Sequence, residues 1–253
     1  MLIKLFLIKL RALFFGGYWY LRLFPSFKKD MLKLKVSKLK VTRVDLWTTH
    51  VMFFTGSLQH KPVFVKLYRD NNKNQREARI LQHINIMDCR SPLLCIMQDG
   101  SSPHGYFVIA EQIKATPLAQ LLDKISFNLC LSLLKQFILI LDDFNRMGVV
   151  HCDITPNNIL VNDTAQITII DFEYAVCHHS QTYCDLRFET KKILQSLGGD
   201  YSATGLVWDD ATSFSKIINN ILKHNKFPEG ELNQIVEQLN ILESKIGRNQ
   251  YKY

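Results

Sequence analysis

The stretch from Val149 to Tyr174, V-V-H-C-D-I-T-P-N-N-I-L-V-N-D-T-A-Q-I-T-I-I-D-F-E-Y, constrains this chain more than any other. Two short apolar runs, Ile159 to Val161 and Ile167 to Ile170, read as buried strands joined as a hairpin through the turn Asn162 to Gln166. They deliver polar groups to the strand mouths: His151, Asp153 and Asn158 before the first run, Asp171 after the second. Two acids and an amide oxygen then converge on one small volume. Phosphoryl transfer needs such a set, one carboxylate to orient a hydroxyl and an amide plus a carboxylate to hold magnesium.

The string H-C-D-I-T-P-N-N resembles the H-x-D-x-x-x-x-N catalytic loop of the protein-kinase-like superfamily, and Asp171-Phe172-Glu173 stands where that superfamily has D-F-G. Asp171 lies thirteen positions after Asn158, which suits the resemblance. It implies that Asp153 is the catalytic base, that Asn158 and Asp171 bind magnesium, and that His151 supports the loop. A chance hairpin carrying three polar residues is the plain alternative, and it has to explain both motifs in register with the helix before them.

Bulk properties narrow the rest. With 47% apolar and 21% charged residues in 253, the chain is long enough for one sizeable core or two lobes, and nothing in it suggests disorder or repeats. Residues 1 to 40 hold ten Lys or Arg and one acid, Asp30, a net of +9, so the remainder of a chain whose total is +8 comes to −1. The basic balance belongs to a segment. Six cysteines without framework spacing read as reduced thiols, and the run from Cys177 to Cys184 lacks the second ligand pair a zinc site requires.

Residues 1 to 27 alternate apolar blocks with single cations, and the longest uncharged run, Ala12 to Leu21, is half of the about 20 residues that a membrane span needs. No small-residue cleavage site follows it, so a signal peptide is disfavoured. With Tyr18, Trp19 and Tyr20 as interfacial residue types, the segment reads either as an in-plane membrane helix or as a helix packed on the protein. For the first reading, Lys28, Lys29, Lys33, Lys35, Lys38 and Lys40 add attraction to anionic lipid, about 1 kcal/mol each close to the surface. The cations are interleaved with aliphatics, which speaks against nucleic acid.

Three runs, Val41 to Leu46, Val51 to Leu58 and Pro62 to Tyr68, read as antiparallel strands. The turn Trp47 to His50 contains no glycine, whereas the superfamily covers the ATP phosphates there with a glycine-rich loop; Thr48 and Thr49 hydroxyls would share that work. Lys66 is the only charged residue in an apolar strand and matches the lysine that binds ATP phosphates. In the helix Asn74 to Ile84, Glu77 shares a face with Ile80, Leu81 and Ile84, and an acid on an apolar face wants a cation. A Lys66–Glu77 ion pair is therefore expected.

The strand Tyr106 to Ala110 runs into Glu111-Gln112-Ile113 and a helix from Pro117, resembling the hinge where the Glu111 carbonyl and the Ile113 N–H would pair with adenine. The apolar helix Phe127 to Met147, stopped by Gly148, leads into His151. Near the end of the chain, Asp210 either caps a helix or braces the catalytic loop, with Asp185 the other candidate brace. A last helix with Leu232, Ile235, Val236, Leu239, Leu242 and Ile246 closes the core.

Several departures point away from a regulated protein kinase. Cys152 replaces an arginine, Thr155 the lysine of Ser/Thr kinases and Glu173 the glycine of D-F-G, and no A-P-E follows. The string I-I-D-F-E-Y-A is closer to choline and aminoglycoside kinases and to bacterial lipopolysaccharide and sugar kinases. Glu173 is either a further carboxylate near the metal or the cap of the next turn.

The resemblance implies a two-lobed α+β fold: a basic segment (1–40), a small antiparallel β lobe (41–113) and a mainly helical lobe (114–253), with ATP and Mg2+ between the lobes. Lys66, steadied by Glu77, would neutralise charge in the transition state. The expected activity is transfer of the γ-phosphate to a hydroxyl of a sugar in a lipid-linked glycan or lipopolysaccharide core, or of a related small molecule. The expected location is the cytoplasm, peripheral on the inner leaflet. A protein Ser/Thr kinase and a nucleotide-binding pseudokinase scaffold are the alternatives.

Overall fold

Alternating apolar residues in the first third of the chain pair into a five-stranded antiparallel sheet of order β1-β2-β3-β5-β4. Its strands are β1 (Val36–Val44), β2 (Val51–Leu58), β3 (Lys61–Tyr68), β4 (Ile96–Ser102) and β5 (Gly105–Glu111). Gln59 and His60 both take positive φ, the geometry that lets a two-residue turn join β2 to β3 without splaying them. In the computed structural model, the described residues are 10, 14, 17–44, 51–68, 71–87, 91, 93–178, 186, 189, 191–203 and 206–253. The turn Trp47 to His50, Cys89, Cys184, Asp185 and most of residues 1 to 16 lie outside them.

β1 starts at Val36, five residues before the start read from alternation. Its pairing with β2 shifts register between Ser37 and Lys40, and Lys38 takes a φ of 54°. The bulge breaks the period of two while still burying Val36 and Leu39. Helix α1 (Phe24–Lys33) precedes the strand. Phe27 and Met31, one turn apart, are fully buried, with the Phe27 ring 5.2 Å from Phe54 and 6.4 Å from Phe107. Here the basic segment packs on the protein. Its other face, Lys28, Lys29, Leu32 and Lys33, is exposed.

The chain divides into two compact units, residues 1–78 with 95–113 and residues 79–94 with 114–253. Helix α2 (Asn71–Ile86) spans the division and is longer than the helix read from the sequence. The expected face of Glu77, Ile80, Leu81 and Ile84 is buried.

The second unit is built around α3 (Phe127–Met147). Ser126 caps it by accepting a hydrogen bond from the Leu129 N–H at 3.3 Å, and Gly148 ends it with a φ of 66°. Ser91 donates from its backbone N–H and hydroxyl to the buried Asp143 of α3, at 2.8 and 2.6 Å. No helix starts at Pro117; Thr116–Pro117 form strand β6, followed by single 3-10 turns. Strands β8 (Ile159–Val161) and β9 (Ile167–Ile169) make the expected hairpin, extended by β6. β7 (Val149–Val150) pairs with β10 (Val176–Cys177).

After the short helix α4 (Lys191–Leu194) come β11 (Val207–Asp209), α5 (Asp210–His224), α6 (Glu229–Glu243) and β12 (Gln250–Lys252), which pairs with β11. The Phe137 and Phe214 rings stack at 4.2 Å between α3 and α5. α6 covers the core with a narrower stripe than expected. Ile235, Leu239 and Leu242 are buried, whereas Leu232 and Val236 are 37% and 43% exposed, because the helix lies against α3 and α5 on one side only; Ile246, read as part of this helix, lies beyond its end at Glu243.

Candidate active site

His151 shapes the loop of residues 151–158 from within. Its Nδ1 accepts the Asp153 N–H at 3.3 Å and its Nε2 lies 3.0 Å from the Ile170 carbonyl, a pattern satisfied by the tautomer protonated on Nε2. The imidazole packs 4.7 Å from the Phe172 ring. The Ile170 N–H donates to the Asn158 carbonyl at 3.0 Å. The two loops that carry Asp153, Asn158 and Asp171 are therefore tied together by main chain and by one buried ring.

Both oxygens of Asp153 have partners. Oδ1 accepts the Gly198 N–H at 2.6 Å, and Oδ2 accepts from Asn158 Nδ2 at 3.2 Å. The same amide nitrogen donates to the Asp153 carbonyl at 2.9 Å. Each carboxylate oxygen keeps a second lone pair, so a substrate hydroxyl can still be received. Burial pushes the Asp153 carboxyl up to about 6; the Gly198 N–H opposes the shift, the Asp171 charge adds to it, the Asn158 amide opposes it and the Glu173 charge adds. Asp171 sits in the left-handed region, φ 69°, at the head of the 3-10 turn Phe172–Tyr174. Glu173, the residue in place of glycine, makes its charge felt at Asp153, as a further carboxylate of the site would.

The catalytic loop hangs from α5. Asp210 accepts the His151 N–H at 2.7 Å and the Cys152 N–H at 3.3 Å, while its neighbour Asp209 caps the helix by accepting the Thr212 N–H at 2.9 Å. The two roles read for Asp210 thus fall on adjacent residues. Asp209 Oδ2 also accepts from the Gly247 N–H at 2.7 Å and from Gln250 Nε2 at 2.9 Å, and Asn249 Nδ2 donates to the Val149 carbonyl at 2.6 Å. Residues 247–252 therefore brace the loop from outside. Gly198, Asp209 and Asn249 were not found from the sequence: two act across 45 and 100 residues, and one of them offers only a backbone N–H.

In the first unit, Lys66 Nζ lies 3.1 Å from Glu77 Oε2 and 3.3 Å from Oε1, so the ion pair expected for an acid on the apolar helix face is formed. Tyr68 completes it: its hydroxyl donates to Glu77 Oε2 at 2.6 Å, and Lys66 Nζ stands 4.9 Å from the Tyr68 ring centre. Lys66 and Glu77 are 8% and 2% exposed, so the pair is desolvated and shielded from salt. Glu111 ends β5, where its N–H donates to the Cys95 carbonyl; Gln112 donates to Pro62, and Ile113 is the last residue of this unit.

Comparison with known proteins agrees with this geometry. The model of the protein kinase domain matches residues 48–194. The chain belongs to the protein kinase family. Among its relatives, mitogen-activated protein kinase HOG2 of Zygosaccharomyces rouxii is 24% identical over 150 residues, which are 58% of this chain and 35% of that protein. Mitogen-activated protein kinase HOG1 of the same species is also 24% identical over 150 residues, 58% of this chain and 34% of its own. The match thus spans about a third of the length of these curated relatives.

Protein kinases use ATP and Mg2+, and the donor set of the second unit fits the ion. Asn158 turns its amide nitrogen to Asp153, leaving its oxygen to a cation, and the charges of Asp171 and Glu173 reinforce one another at Asp153. Magnesium prefers such hard oxygen donors and takes few from protein, with phosphates and water supplying the rest. The described cysteines Cys130 and Cys177 are in no disulfide, and burial pushes the Cys130 thiol up to about 11.

Proposed function

We propose that this chain is an ATP-dependent phosphotransferase that moves the γ-phosphate to a serine or threonine hydroxyl of a protein. The observation that carries the reading is the carboxylate of Asp153, held at both oxygens by neutral donors and set among the charges of Asp171 and Glu173. Asp153 receives or orients the proton of the acceptor hydroxyl. Asn158 and Asp171 would hold the magnesium, whose charge would offset that developing on the phosphates. Lys66, kept in place by Glu77 and Tyr68, supplies a cation for the nucleotide. Both relatives above are named as protein kinases, which favours a protein acceptor. ATP as donor favours a cytoplasmic setting.

A second reading keeps the chemistry and changes the acceptor to a hydroxyl of a sugar, in a lipid-linked glycan or lipopolysaccharide core, or of a small molecule. Cys152, Thr155 and Glu173, standing for residues that serve regulation and peptide substrates in Ser/Thr kinases, favour it.

Labelled ATP and Mg2+, incubated with a general protein acceptor and separately with a membrane glycolipid extract, tests both, with Asp153→Asn as the blank. Label on protein that vanishes in the variant is the expected result. Label only in glycolipid moves the conclusion to the second reading. Stabilisation by ATP without transfer to either would leave a nucleotide-binding scaffold.

A further inference from the structure

The basic segment presents two different faces. Phe27 and Met31 of α1 are spent on the core of the first unit. Leu10, Phe14, Tyr18 and Leu21 turn outward, 40%, 74%, 52% and 76% exposed. Leu10, Phe14 and Tyr18 are helical, and Leu21 belongs to the π-helix Trp19–Leu23 that leads into α1. Lys28, Lys29 and Lys35 follow on the exposed side of α1 and the turn after it, and Leu32 lies among them, 51% exposed.

We propose that Leu10, Phe14, Tyr18, Leu21 and Leu32, with Lys28, Lys29 and Lys35, form a docking surface for an anionic lipid bilayer, the apolar side chains entering the headgroup boundary and the lysines reaching lipid phosphates. Charge decides the occupant. Residues 1–40 carry +9, so the same segment of a second copy repels them, whereas an anionic leaflet attracts them. A bilayer also accepts side-chain types that water does not: large apolar groups, a tyrosine at the boundary and lysines able to extend to the headgroups. Among the described residues no helix is long and apolar enough to cross a membrane. The surface is independent of the catalytic groups.

The test is co-sedimentation of the full chain with vesicles of phosphatidylcholine alone or with about a third phosphatidylglycerol, compared with Phe14→Asp/Leu21→Asp and with Lys28→Gln/Lys29→Gln/Lys35→Gln. Binding is expected only to the anionic vesicles and to fall as salt rises. The lysine variant should lower the partition coefficient about 100-fold, roughly fivefold per residue. The apolar variant should lose retention at high salt. ATP-dependent thermal stabilisation equal to wild type shows that each variant is folded; should the apolar variant fail this control, the lysine variant alone decides. No binding to anionic vesicles, equal binding to both kinds, or binding that neither variant reduces overturns the proposal. So does self-association in solution that the apolar variant abolishes.

Discussion

The backbone N–H of Gly198 donates to Oδ1 of Asp153 at 2.6 Å, so the carboxylate is oriented by a loop 45 residues away. Gly198 has a φ of 73°, and a Cβ there would lie 3.1 Å from the Cβ of Ser202. Gly198→Ala combines left-handed strain of about 1–2 kcal/mol with that contact and displaces the donor. Turnover should fall at least tenfold while ATP-dependent thermal stabilisation stays the same. In Asp153→Asn, which itself costs about 10² to 10⁴ in rate, adding Gly198→Ala should cost little more. Additive losses would show that the glycine acts elsewhere.

The acid limb of the rate profile should report Asp153. Its folded value is about 6, and only the ionised form accepts a proton, so kcat/KM should rise with pH through about 6 and then level off. The Gly198 N–H holds the value down, so Gly198→Ala should move the midpoint upward. Raising Mg2+ favours the ionised cluster and should move it downward. A profile flat from about pH 5 to 8 would remove Asp153 from the rate-determining proton transfer.

Lys66 and Glu77 face one another out of water, and Tyr68 donates to the acid. Glu77→Ala leaves a buried ammonium without its carboxylate and should cost about 3–5 kcal/mol in urea unfolding. Tyr68→Phe removes one hydrogen bond to a charged group and should cost about 1.5–3 kcal/mol. If Tyr68→Phe also weakens ATP-dependent stabilisation, the hydroxyl is setting the position of Lys66; if not, its role is confined to the fold.

How much of this could be read beforehand follows from where each interaction lies in the chain. His151, Asp153, Asn158 and Asp171 sit on adjacent loops of one hairpin, so local spacing and strand period exposed them together. Glu77 betrayed itself as an acid on an apolar helical face. Tyr68 did not, because an aromatic residue in a strand reads as ordinary core. Gly198 carries no side chain to signal its contact, and Asn249 reaches Val149 across 100 residues. The bulge between Ser37 and Lys40 hid the first part of β1, and periodicity alone could not show that α6 is covered on one side only.

The outer brace can be weakened without touching Asp153. Asn249→Ala leaves the Val149 carbonyl without the donor it has at 2.6 Å, at the root of the catalytic loop, a loss of about 1–3 kcal/mol. Turnover should fall more than ATP binding does. Equal falls in both would mean that the whole unit has loosened rather than the loop.

Asp210 ties loop geometry to pH. Burial raises its carboxyl from 3.8 to about 7, against the His151 and Cys152 N–H groups, which favour the anion, and with help from the neighbouring charges of Asp209 and Asp153. The folded state thus holds this proton more tightly than the unfolded chain does. Between about pH 4 and pH 7 the folded state binds more protons, and stability falls with rising pH through that window. The contribution is present in full below the unfolded value and lost as pH climbs through about 7. Asp210→Asn cannot ionise and keeps one acceptor for the loop, so its urea midpoint should follow a shallower pH dependence across the same window. A parallel dependence in the variant would show that Asp210 is already ionised in the fold, held so by its two backbone donors.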